Sequence, residues 1–213
     1  MFFSCFNNDA FNIPDPNIKG SMLVEDYLFV SNNKYQSRKD TIQKYTYHSF
    51  FRCNPDHVAS HFQFPVGPPD ATGYYNAQKF KVNDHLGDDW NGVGGGNSDL
   101  GDPIFSIANG WISQAKDYQG GWGNVVRIVH KMPKGNKYEY VESMYAHLDT
   151  ISVSSGQMIN IGDPIGTIGN CNGAYLAHLH LEIRNNPEMP IGFGYSLETE
   201  GYLDPTSFIR ANR

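Results

Sequence analysis

His178-Leu179-His180-Leu181-Glu182-Ile183-Arg184 alternates polar and apolar residues without a break. Alternation with period two is the mark of a half-buried strand, because successive side chains leave opposite faces. Leu179, Leu181 and Ile183 are therefore expected in a core. His178, His180, Glu182 and Arg184 then share the other face. Working outward, residues 104–108 read as a strand, Asn109-Gly110 as a hairpin turn and residues 111–116 as the returning strand. Residues 125–130 and 138–147 read as an antiparallel pair around a turn at residues 134–136. Ser155-Gly156 and residues 161–164 are turns beside short strands. Asp204-Pro205 is expected to cap one helical turn, and residues 33–48 are expected to hold a short helix. No long stretch carries the 3.6-residue apolar repeat of a helix. The expected fold class is mostly β and antiparallel, with little helix.

Composition agrees with this. Charged residues make up 18% of the 213, beside 22 Gly and 12 Pro, which suits short strands joined by turns. The length suffices for one domain with a sizeable core. With a net charge of −6 and scattered Lys and Arg, the chain lacks the basic stripe that tracks phosphates, so no nucleic-acid partner is expected. No apolar run reaches the length of a transmembrane helix. The start, Met1 to Cys5, is too short for a signal peptide. Cys5, Cys53 and Cys171 have no metal-binding spacing; one disulfide among three pairings, or none, is open. For Cys5, a free or bridged thiol ranks above a lipoprotein site. Residues 1–60 are polar, Asn-rich and irregular, an N-terminal extension that either regulates access to a site or merely covers the fold. Pro65, Pro68 and Pro69 form a stiff linker or leading segment, and residues 61–213 make the main domain.

Four polar fragments could carry chemistry: His85 to Asp89 (HLGDD), His130, Tyr145 to Leu148 (YAHL), and His178-Leu-His180. Imidazole nitrogen and carboxylate oxygen are zinc ligands, and a catalytic zinc keeps three of them with a fourth position for water. Two histidines at i and i+2 on a strand face one way, so both can reach one ion, or one can bind while the other acts on substrate. Alone, each fragment is weak. Of Asp88 and Asp89, neighbours on an extended segment, only one can face a given ligand. His130 suits a structural or supporting role better than ligation. Glu182 is either a partner of a ligand or a solvated strand residue.

Order and context make the fragments specific. HxxxD comes first. Residues 101–112 (GDPIFSIANGWI), 123–130 (GNVVRIVH), 145–148 (YAHL), the glycine-spaced 156–169 and 178–182 (HLHLE) follow. In this order they resemble the lysostaphin-type zinc endopeptidases, which include the LytM peptidoglycan hydrolases, over about residues 80–185. The resemblance implies an antiparallel β sandwich or half-open barrel. It implies that His85, Asp89 and His180 hold Zn2+, that His178 is the general base or proton shuttle, and that His147 orients water or stabilises the oxyanion. It further implies peptidoglycan peptides as substrate and an exported site of action; the oligomeric state is open, with a monomer expected.

The chain also departs from the family. The tyrosine that some members place shortly before HxxxD has no counterpart, since Tyr74 and Tyr75 lie further back. The stretch before HxH is residues 170–177 (NCNGAYLA) in place of a Gly-, Ser- and Pro-containing one, so substrate preference is open. Residues 92–96 (GVGGG) lack a phosphate-loop Lys and read as a flexible rim. A non-catalytic member that binds peptidoglycan or activates another hydrolase is the second reading, disfavoured because the full ligand set is present. A lipoyl-type carrier needs a lysine between residues 156 and 169, and none is there.

Overall fold

The structure, a computed structural model, describes residues 47–213. Readings of Cys5, and of a helix at residues 33–48 except its last two positions, lie outside the described residues. The chain divides into two units, Met1–Cys53 and Asn54–Arg213. In the first, residues 47–53 are helical.

The second unit is an open antiparallel sheet. Its strands are β1 (Tyr74–Gln78), β2 (Asp88–Gly92), β3 (Pro103–Phe105), β4 (Gly110–Asp117), β5 (Asn124–Lys134), β6 (Lys137–Ile151), β7 (Met158–Ile159), β8 (Pro164–Ile168), β9 (Leu179–Arg184) and β10 (Tyr202–Leu203), followed by a helix at Pro205–Ala211. The main path runs β1-β2-β9-β6-β5-β4-β7, with β10 on β9, β8 on β6 and β3 on β8. The strand that opened the reading, β9, is thus central. Its His180 lies opposite Asp89 of β2 on one side and Ala146 of β6 on the other.

Leu179, Leu181 and Ile183 are buried in one core with Val126, Ile128 and Tyr145, as the alternation requires. Burying each such aliphatic side chain contributes about 1.5–3 kcal/mol. The opposite face differs from expectation, because His180, Glu182 and Arg184 are buried too. The cover is the segment after β9. Arg184 donates to the carbonyls of Pro190 and Ile191, and Arg127 to that of Met189. Buried charge demands a partner, and Arg184 pairs with Glu182 while Arg127 pairs with Glu142.

The β5–β6 hairpin forms as read, with Lys134 opposite Lys137 across Gly135-Asn136. The hairpin at Asn109-Gly110 does not form. β3 pairs with β8, and β4 with β5 and β7. Gly110 is there for a close approach: a Cβ on it would lie 2.6 Å from Ile128 Cγ2 and 2.8 Å from both His130 Nδ1 and the Val129 carbonyl. The proline-rich stretch is no linker either. Phe62, Phe64 and Val66 belong to the core, and the Gln63 amide donates to the Ile107 carbonyl.

The glycine-rich rim is pinned rather than free, since Asp99 accepts the Gly92 amide and Asn97 accepts the Ala177 amide, each at 2.8 Å. Asp204 caps the C-terminal helix by accepting the Ser207 amide at 2.9 Å. That helix runs seven residues, longer than the single turn expected.

Candidate metal centre

β2 sets the two aspartates on opposite faces. Asp88 accepts the Phe80 amide and, through Oδ2, the Thr206 amide and hydroxyl, so it anchors the C-terminal helix. Asp89 faces His180. His85 reaches the same point from the segment before β2. Gly87 makes that path possible, since a Cβ there would lie 2.4 Å from the Leu181 carbonyl and 2.9 Å from the His180 ring.

Three donor atoms then converge. His180 Nδ1 is 2.9 Å from Asp89 Oδ1 and 3.0 Å from His85 Nε2, and His85 Nε2 is 3.2 Å from Asp89 Oδ1. Ligands about 2.0–2.1 Å from a tetrahedral zinc stand roughly 3.3 Å apart, so this triangle is near the size of one face of that tetrahedron. His85, Asp89 and His180 are also a group whose ligand atoms all fall within 4.8 Å of one another.

The other ring nitrogens decide which lone pairs face inward. His180 Nε2 is 3.1 Å from Glu182 Oε1, a bond in which the ring must donate to a carboxylate, leaving Nδ1 for the cluster. Such a carboxylate behind a ligating imidazole orients the ring and raises its basicity. Glu182 is therefore a partner of the cluster, not a solvated strand residue.

Electrostatics point the same way. Burial pushes the Asp89 carboxyl up, but hydrogen bonds with His180 and His85 outweigh it and hold it well below the usual carboxylate range. Burial pushes His180 down, but Asp89 and Glu182 win and raise it to about 9. Two carboxylates thus draw positive charge to this point, and a dication fits the demand with both imidazoles neutral.

Two more histidines flank the cluster. His178 donates from Nδ1 to the Leu176 carbonyl at 2.8 Å, which leaves Nε2 as an acceptor 3.9 Å from Asp89 Oδ1. His147 follows Tyr145, which faces the core, and Ala146, which faces the cluster. Strict alternation would send it to the core. Its φ of 64° turns it back, a left-handed conformation uncommon outside glycine and frequent at functional sites. Its ring centroid lies 4.8 Å from that of His178 and 5.7 Å from that of His180. Burial, then the neighbouring His180 and His178, pushes it down to about 3, so it is neutral at neutral pH.

His130 stands apart. It bonds the Asn109 carbonyl and Ser143 Oγ inside the fold and has no part in the cluster. The sequence reading brought His85, Asp89, His147, His178 and His180 forward, and the structure brings all five together.

It missed the aromatic wall. The Trp122 ring is stacked at 6.2 Å from His147, Tyr175 lies 5.1 Å from His147, and Tyr195 lies 5.0 Å from His85. Cys171, a free thiol, has Sγ 3.3 Å from His147 Nδ1. These residues sit on irregular connections without periodicity. Glycines on both sides of Trp122 were the one available hint. Among the described residues no helix is long and apolar enough to cross a membrane.

Sheet and cluster together make an open antiparallel β fold with a His/Asp/His group that could hold a metal ion. The sequence pattern of peptidase family M23 matches residues 89–190. Lipoprotein NlpD of Yersinia enterocolitica is 37% identical over 84 residues, 39% of this chain and 78% of that protein. An uncharacterized lipoprotein, YgeR, of Escherichia coli (strain K12) is 32% identical over 84 residues, 39% of this chain but 30% of that protein. The solution structure of lysostaphin shares the fold with a TM-score of 0.51 at 21% identity, covering 71% of this chain and 55% of that one. The chain belongs to peptidase family M23. It spans well under two thirds of YgeR and of lysostaphin.

Proposed function

We propose that this chain is an exported zinc endopeptidase that hydrolyses peptide bonds in the bridges or cross-links of bacterial peptidoglycan. The observation that carries the reading is the convergence of His85, Asp89 and His180 within bonding range of one ion, with His178 and His147 beside them. When bound, zinc supplies a Lewis acid and lowers the pKa of a water to about 7.

The chain's own groups do the rest. His178, its Nδ1 proton committed to Leu176, receives at Nε2 the proton of the attacking water. It returns that proton to the leaving amine nitrogen as the C–N bond breaks. Neutral His147 donates from the ring nitrogen turned away from Cys171 to the carbonyl oxygen as charge develops there. Trp122, stacked on His147, keeps that side of the cleft dry. Export is supported by the names of two relatives, both lipoproteins.

Those same names support a second reading, a member that binds the wall or activates another hydrolase without cutting, since neither name is that of a hydrolase. One experiment separates the two. The chain is incubated with defined muropeptides, with and without added zinc, and products are read by mass spectrometry. Zinc-dependent, chelator-sensitive cleavage is expected. Stoichiometric zinc with every muropeptide intact overturns the hydrolase reading, and full cleavage by metal-free chain overturns the role of zinc.

A further inference from the structure

The segment that follows the cover over Arg184 runs along the metal centre. The Gly192 carbonyl accepts from Trp122 Nε1 at 3.1 Å. The Gly194 carbonyl accepts the Leu86 amide at 2.9 Å, and the Ser196 amide donates to the Asp84 carbonyl at 2.8 Å. Trp122 is stacked on His147 and lies 5.5 Å from His180, while Asp84 and Leu86 flank His85. Residues 192–196 are thus fastened from one side of the cluster to the other. Gly192 and Gly194 take φ of 73° and 78°, a conformation that costs glycine little. A Cβ on Gly194 would also lie 3.1 Å from the Trp122 ring.

This anchored backbone holds apolar side chains out into solvent. Phe193 is 92% exposed, and Tyr195 is 50% exposed with its ring 5.0 Å from that of His85. A second pair flanks the other histidines. Tyr175, 43% exposed, lies 5.1 Å from His147 and 5.9 Å from His178. Leu176 is 62% exposed, and its carbonyl holds His178 Nδ1. Each pair therefore has one ring against the centre and one neighbour standing free beside it. None of the four side chains is charged. Apolar surface kept exposed on a fixed backbone beside a site is contact surface for a ligand.

The chemistry of a peptide decides what can use it. A run of glycines has no side chain to lay on either wall. An alanyl peptide brings methyl groups, and burying one is worth about fourfold in affinity. Two methyls, one on each side of the scissile bond, give about fifteenfold.

We infer that the cleft selects peptides with an apolar side chain on each side of the scissile bond, alanyl rather than glycyl, and that Leu176 and Phe193 are its specificity-determining residues. Cleavage of that bond rests on the hydrolase reading above; preferential binding of the alanyl peptide does not. Residues 170–177, where the chain departs from the family it resembles, thus contribute one wall of the cleft.

The test is calorimetric titration of the full zinc-loaded chain with pentaglycine and with penta-L-alanine and penta-D-alanine. Expected is binding of one alanine peptide at least tenfold tighter than of pentaglycine. Leu176→Ala and Phe193→Ala should each narrow that ratio several-fold at unchanged zinc content and unchanged urea midpoint, since both side chains are exposed. In parallel, muropeptide dimers joined by a direct alanyl cross-link or by a pentaglycine bridge are digested and the products read by mass spectrometry. Alanyl bonds should be cut at least tenfold faster than bonds within the glycine bridge. Binding of no peptide, pentaglycine bound as tightly as alanine, or a ratio untouched by both substitutions overturns the inference. A chain that cuts glycyl bonds as fast as alanyl ones sinks this inference alone. A chain that prefers the alanine peptide but cuts nothing sinks the hydrolase reading alone.

Discussion

Glu182 Oε1 lies 3.1 Å behind His180 Nε2, and the other carboxylate oxygen of Glu182 holds the Arg184 guanidinium. The imidazole facing the cluster is thus locked from the rear by an ion pair that is itself buried. Glu182→Gln keeps the shape but loses the charge. Zinc affinity should fall about 10–100-fold, the usual consequence of losing a partner that orients a metal-bound imidazole. Competition with a fluorescent chelator measures it, and an affinity unchanged within twofold would remove Glu182 from the account.

His178 contacts the cluster without completing its triangle. His178→Ala should therefore retain stoichiometric zinc while turnover drops roughly 10²–10⁴-fold, the range of a lost general base. His180→Ala should lose both. Metal analysis beside a muropeptide assay separates the two variants, and loss of zinc from His178→Ala would make that residue a ligand instead.

Gly110 has no room for a side chain, because Ile128, His130 and the Val129 carbonyl close on it. Gly110→Ala should destabilise the fold by about 1–3 kcal/mol, as overpacking does. The check is a lower urea midpoint at an unchanged slope. An unaltered midpoint would mean that the β4–β5 edge yields more easily than its packing implies.

His130 is wholly enclosed, and burial pushes its pKa down to about 4. In the unfolded chain an imidazole titrates near 6.5. Below that value the unfolded state gains a proton that the fold refuses, so this contribution is complete above about pH 6.5. It is lost as pH falls toward 4, amounting to roughly 3 kcal/mol. Unfolding curves between pH 7 and 4 should show the loss, and His130→Gln should flatten that part of the profile. An equally steep profile in the variant would assign the acid sensitivity elsewhere.

Legibility of the sequence followed how locally each feature is encoded. The β9 face was readable because alternation is a property of neighbours, and the β5–β6 hairpin because Gly135-Asn136 is a turn by its own chemistry. Asp89 needed the family pattern to separate it from Asp88, and the pleat of β2 then gave the reason. Asn109-Gly110 misled because the same dipeptide serves a close approach as well as a turn, and only the partner strand tells which. Trp122, Tyr175 and Tyr195 were invisible because loops place them, and no periodicity announces a loop's path. The burial of Glu182 and Arg184 was missed for a related reason: alternation names a face, but the cover over it comes from residues 189–191.

The pleat of β2 also has a consequence in time. Asp89 meets a histidine 91 positions later, and Asp88, its neighbour, is fastened to Thr206, 118 positions on. A growing chain therefore carries His85 and Asp89 for 91 residues before His180 is made. The third arrives with β9, which pairs with the strand that presents Asp89, and the C-terminal helix fastens that strand on its other face. The three-donor cluster is thus a long-range feature, complete only once β9 lies beside β2.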